Sequence, residues 1–177
     1  MSKQDAGRGL GPLSEDMLDG LNQQISNEFA AEFAYLAMAG WFDNESLLGC
    51  SAFMEAQAAE ERGHALRLYE YVLDRNGRIV IGPVAAVYGD FSGAVDAFRT
   101  ALSNEEGVSE SIKRLHQMAL DEGDSPTAVF LEWFLTEQVE EEKTFDDIVR
   151  RFELAGDNAA ALLVLDIELG GKAGGDD

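Results

Sequence analysis

Residues 58–68, AAEERGHALRL, decide the reading of this chain. They hold Glu61 and His64 three positions apart on what reads as one helix. Residues three apart on a helix are neighbours, so both side chains reach the same point. A Glu-x-x-His pair of this kind ligates metal in four-helix bundles that hold two metal ions with carboxylates. One such pair arises by accident on many helices. The weight comes from three other helical stretches, each bringing a polar residue to the middle of an apolar stripe.

The first stretch follows a loose lead-in over 1–12 and starts at Ser14, a good cap, with Glu15 and Asp16 suiting the helix dipole. Its stripe is Leu18, Leu21, Ile25, Glu28, Glu32, Tyr35, Ala39, Phe42, spaced three and four apart as one helix face requires. Two glutamates interrupt it. Asp43 and Asn44 read as the cap of a second helix over about 45–75, whose stripe is Cys50, Met54, Gln57, Glu61, His64, Leu68, Tyr71. Asn76-Gly77 ends it.

Residues 77–91, GRIVIGPVAAVYGDF, carry no helical stripe. Extended, a segment of this length reaches roughly 50 Å, and a 30-residue helix is about 45 Å long. The segment therefore reads as a crossover that returns along the bundle and leaves the second and third helices parallel. The third helix, about 92–120, runs Phe91, Ala94, Phe98, Ala101, Glu105, Val108, Ile112, Leu115, Ala119. A short turn with Ser125 as cap and Pro126 in the first turn leads to a fourth helix over 126–155. Its stripe is Leu131, Phe134, Gln138, Glu141, Phe145, Ile148, Phe152. A fifth, shorter helix over about 158–169 is rich in aliphatics, and 170–177 read as a flexible tail. The expected fold is all-α: a four-helix bundle with one long crossover and a short C-terminal helix, formed by residues 13–169.

At depth, the polar interruptions coincide. Glu28, Glu61 with His64, Glu105, and Gln138 with Glu141 all fall near the midpoints of their helices. Burying several unpaired carboxylates is costly, and like charges raise one another's pKa values. A pair of divalent cations removes the conflict, with carboxylate oxygens as hard ligands and one imidazole nitrogen.

Composition narrows the choices. Of 177 residues, 34 are acidic and 13 basic, giving a net charge of −21. Nucleic acid and anionic membranes are poor partners for such a surface, and cations are good ones. A single cysteine, Cys50, and two histidines, His64 and His116, exclude a cysteine-based metal site and leave mostly oxygen ligands. No apolar run approaches a membrane span, and the first residues lack the apolar core of a signal peptide. A cytoplasmic protein is the expectation.

At this point the sequence resembles the non-haem ferritins of bacteria and archaea, a ferritin-like di-iron family, over about 13–169. The stretches that carry the resemblance are LNQQISNEFAAEFAYLAMAGWFD, AAEERGHALRLYEYV and FLEWFLTEQVEEEKTFDDIV. The resemblance implies a ferroxidase that stores ferric mineral in a homo-oligomeric shell, in this family usually of 24 subunits, using ferrous iron and dioxygen or peroxide. It implies a first iron position from Glu28, Glu61 and His64, with Glu61 bridging to a second position that Glu105 also binds and beside which Gln138 sits. It implies a third iron position near Glu60, Glu137, Glu140 and Glu141. Tyr35 and Trp133 match aromatics near the centre that can donate an electron. Two departures imply that no haem binds. The fourth helix reads Glu137-Gln-Val-Glu140 without histidine, and Arg62 follows Glu61 where haem-binding relatives carry a methionine. Two other readings remain open from the residues alone: a di-iron or di-manganese bundle that destroys peroxide without storage, and a non-catalytic acidic scaffold that binds cations.

Overall fold

The computed structural model describes residues 11–84 and 89–173. Five helices follow in order: α1 Glu15–Asn44, α2 Leu48–Asp74, α3 Ala94–Glu122, α4 Ser125–Ala155 and α5 Ala159–Ala173. No strand occurs among the described residues, so the all-α expectation holds. None of these helices is long and apolar enough to cross a membrane. The lead-in before Gly11 and the residues after Ala173 lie outside the described residues.

Contacts at the two ends fix the directions of the helices. At one end Ser14, before α1, donates to Glu122 at the close of α3. Arg75, just after α2, donates to Asp124, the cap of α4, and to the carbonyl of Gly11. At the other end Trp41 of α1 packs on Phe91, just before α3. Helices α2 and α3 therefore finish at the same end and run parallel, as the crossover requires. The crossover itself is fastened along α1. The Asn22 side chain donates to the Arg78 carbonyl and accepts from the Val80 amide, and Ser26 Oγ accepts from the Gly82 amide. Further on, Gly89 passes so close that a Cβ there would sit 3.0 Å from the Ala37 carbonyl oxygen.

Three boundaries differ from the sequence reading. Asp43 and Asn44 belong to α1 rather than capping α2, which starts at Leu48 behind Leu47 with no side-chain cap of its own. The turn between them is made by Ser46 in the left-handed region, φ 63°. The cap of α4 is Asp124, not Ser125: its carboxylate accepts from the Thr127 amide while Arg75 holds it in place. Helix α5 continues past Leu169 to Ala173. Gly170 does not stop it, because its use is proximity: a Cβ there would lie 3.1 Å from the Gly49 Cα.

The core is in two parts. One cluster holds Phe42, Phe53, Met54, Phe98, Phe145 and Phe152 with Leu165 and Leu169 of α5. The other holds Met17, Leu21, Ile25, Leu68, Ile112, Leu115, Leu131 and Phe134. Each of the four long helices contributes to both. Between them lies a buried polar layer.

Candidate metal centre

The layer is built from the middle of every long helix. On α2, Glu61 and His64 lie one turn apart, with His64 Nδ1 3.4 Å from Glu61 Oε2. From α1, Glu28 joins them, and ligand atoms of all three lie within 4.8 Å of one another. Their exposures are 0 %, 2 % and 4 % for Glu28, Glu61 and His64. Glu28 Oε1 accepts from Gln24 at 2.8 Å, but Glu28 Oε2 and Glu61 Oε2 are buried with no hydrogen-bond partner. Buried polar atoms are nearly always paired, and these two carboxylate oxygens are completed either by a proton shared between Glu28 and Glu61 or by a cation held between them and the imidazole.

The electrostatics tell the same story. Burial, then the neighbouring Glu61 charge, push the Glu28 carboxyl well above the usual range. Burial, followed by the Glu105 charge, pushes Glu61 up to about 8. Glu141, 8 % exposed on α4, is raised to about 8 by burial and then by Glu60 and Glu105. A cation between these groups would restore them to ordinary acidity.

Glu105 of α3 is held differently. The Tyr35 hydroxyl donates to its Oε1. Gln138 Nε2 donates to its Oε2 at 3.0 Å and to its carbonyl at 3.3 Å. Burial raises its pKa, and the bonds from Tyr35 and Gln138 pull the other way. Tyr35 is wholly buried and stacks on Phe145, with centroids 5.7 Å apart. Burial and the Glu105 charge hold its phenol protonated well above its ordinary pKa. His64 is walled by the edges of Trp133 and Phe134, at 5.6 and 5.9 Å. Arg67 caps Trp133 from outside, its guanidinium carbon 3.9 Å above the ring.

A second set opens outward from the first. Ligand atoms of Glu60, His64 and Glu137 lie within 4.8 Å of one another, with Glu60 exposed and Glu137 half-buried. Gln57 steadies Glu60 by donating to it at 3.0 Å. Glu140 is exposed and belongs to neither set, while Glu141 lies in the buried layer. Glu32 faces away toward Arg62, 3.6 Å off. His116 is half-buried with an unpaired Nε2, remote in sequence from the set.

Several residues that shape the site have no signal in the helical stripes. Gln24 orients Glu28, and its place one turn before that glutamate was the available hint. Ser109, 3.4 Å from Gln138 Nε2, and Arg67 are recognisable only from the packing.

A bundle of long helices with buried carboxylates and one histidine at mid-depth is a protein of the carboxylate metal-binding class. The chain belongs to the ferritin-like family, whose domain matches residues 18–155. It is 38 % identical to a bacterial non-heme ferritin of Staphylococcus aureus strain USA300 over 160 residues, 90 % of this chain and 96 % of that one. It is 35 % identical to a bacterial non-heme ferritin of Staphylococcus epidermidis over 161 residues, 91 % and 97 % of the two chains. Among solved structures it superposes with a TM-score of 0.88 on the open-pore ferritin of the hyperthermophilic archaeon Archaeoglobus fulgidus, at 38 % identity, covering 89 % of this chain and 98 % of that one. An engineered closed form of the same archaeal ferritin gives 0.87 at 39 % identity, covering 89 % and 96 %.

Proposed function

We propose that this protein oxidises ferrous iron at an intra-subunit two-iron centre and stores the ferric product in a shell of its own copies, 24 by family likeness. The observation that carries the reading is the pair of bare carboxylate oxygens on Glu28 and Glu61, facing His64 in a layer closed to water. Iron is the substrate here. Glu28, Glu61 and His64 receive the first ion. Glu61 and Glu105 receive the second, with Gln138 and Tyr35 keeping the Glu105 carboxylate aimed. Two ferrous ions give one electron each; dioxygen takes both electrons and two protons and leaves as hydrogen peroxide, or peroxide is reduced to water in the same way. Hard carboxylates favour the more highly charged ferric product. The protein's part is position and electrostatics. Glu60, Glu137 and His64 form a third cation position between the centre and solvent, with Glu140 and Glu141 on the same helix extending the acidic path.

The test is aerobic oxidation of ferrous iron at rising iron per subunit, beside Glu61→Ala and His64→Ala. A fast phase that saturates at about two to three irons per subunit, lost in both variants, with soluble iron retained on the protein, supports the reading. Oxidation at the same rate in the variants refutes the site. Fast oxidation with no retained iron refutes storage and leaves the peroxide-destroying reading.

A further inference from the structure

Helix α5 presents an anomaly. Its buried face is Leu165, Asp166 and Leu169, so a carboxylate sits where a helix docking on an apolar core places an aliphatic. Asp166 is 8 % exposed. Its Oδ1 accepts from the backbone amide of Cys50 at 2.8 Å, across 116 residues of sequence. Cys50 is the third residue of α2, the position whose amide a capping side chain satisfies. Helix α2 has no cap of its own.

The backbones confirm how specific the fit is. A Cβ on Gly49 would lie 2.6 Å from the Asp166 carbonyl carbon, so only glycine admits α5 at this distance. Gly170 approaches Gly49 one turn further on. The Cys50 side chain is wholly buried beside the same carboxylate, and burial, followed by the thiol's interaction with Asp166, pushes its pKa up. On the far side of α5, Leu163, Val164 and Ile167 are 53 %, 55 % and 73 % exposed.

We propose that Asp166 is a latch: from α5 it caps the N-terminus of α2, and with Gly49 and Gly170 it pins α5 in the one register that turns its aliphatic face outward for other copies of this chain. A lone leucine or valine at 166 would hold α5 by apolar burial at many registers. A carboxylate on a helix N-terminus is satisfied at one place.

The chain supplies its own reporter, since its single cysteine lies beneath the latch. The experiment measures the rate at which 5,5′-dithiobis(2-nitrobenzoate) labels Cys50 in the native protein, with shell size by size-exclusion chromatography and light scattering. Wild type labels slowly. Asp166→Ala and Gly49→Ala each label at least about fivefold faster with helix content retained, because one loses the cap and the other sets a clash that displaces the helix. Asp166→Asn, which keeps an accepting oxygen, stays slow. Ile167→Ser stays slow too, yet assembles poorly. If Asp166→Ala and Gly49→Ala label at the wild-type rate, or wild type labels as fast as an unfolded control, the latch is refuted. The assembly half rests on the shell proposed above and the labelling half does not. A wild-type protein that remains monomeric with a protected thiol refutes the shell alone. Fast-labelling variants that assemble normally refute the link to assembly.

Discussion

Glu61→Gln in the metal-free protein separates what the site costs from what it does. The Glu61 carboxyl is raised from 4.5 to about 8 by burial and by the charge of Glu105. A folded-state pKa above the unfolded value means the folded state holds more protons, so the metal-free bundle loses stability as pH rises from about 4.5 to about 8. At about 1.4 kcal/mol per pH unit, the ionised group costs on the order of 5 kcal/mol above pH 8. At pH 5.5 the cost is about 1 kcal/mol on the same scale. The amide of Glu61→Gln carries no charge and offers an N–H toward the bare Glu28 Oε2. The variant should therefore unfold later than wild type after chelation, by roughly 3–5 kcal/mol at pH 8.5 and by about 1 kcal/mol at pH 5.5. For a chain of this length each kcal/mol is about 2–4 °C in Tm. Thermal unfolding of both proteins at pH 5.5, 7 and 8.5, with cobalt(II) binding on the same samples, reads both effects. A variant no more stable at high pH, or stabilised equally at every pH, refutes the claim that this carboxylate is buried against its own ionisation. A variant that still binds cobalt(II) like wild type refutes its role as a ligand.

Arg75→Met should destabilise by about 1–3 kcal/mol, because the guanidinium donates to Gly11, Tyr71, Asp124 and Thr127 and its loss leaves the half-buried Asp124 carboxylate held by Thr127 alone; denaturant unfolding reads it. Tyr35→Phe should keep the fold and cobalt(II) stoichiometry, since Phe145 still stacks there, and should slow the fast iron-oxidation phase by freeing Glu105 Oε1; unchanged stopped-flow kinetics would remove Tyr35 from the site. Asn22→Ala should cost about 1–2 kcal/mol in local stability and raise amide exchange over 78–82 with no change at the metal layer; uniform exchange with wild type would show that the crossover is held by other means.

The bundle and its polar layer were legible because both obey helix periodicity. Glu28, Glu61, His64, Glu105, Gln138 and Glu141 each interrupt an apolar stripe, and stripes of similar length put their interruptions at one depth. The crossover was legible from its length against that of the helices. What periodicity could not carry was contact between distant elements. No pattern marks Arg75, whose partners Gly11 and Asp124 lie in other elements. No pattern marks Asp166 either, and only the docked helix makes it the cap of α2. Caps chosen from adjacent residues, Asp43–Asn44 and Ser125, missed for the same reason: a remote carboxylate or an arginine-held neighbour took the position.

The division of the core into two apolar clusters by a buried polar layer makes the subunit two short bundles joined end to end. Apolar packing is continuous within each half and interrupted at the join, so in the metal-free protein the halves are coupled by the helix backbones and by a few polar side-chain links, Tyr35 and Gln138 to Glu105 among them. Filling it with cations supplies the missing cross-ties. Amide exchange should then separate the halves into two opening units in the metal-free protein and merge them into one when the layer is loaded. Cargo, on this account, is also the mortar of its own container.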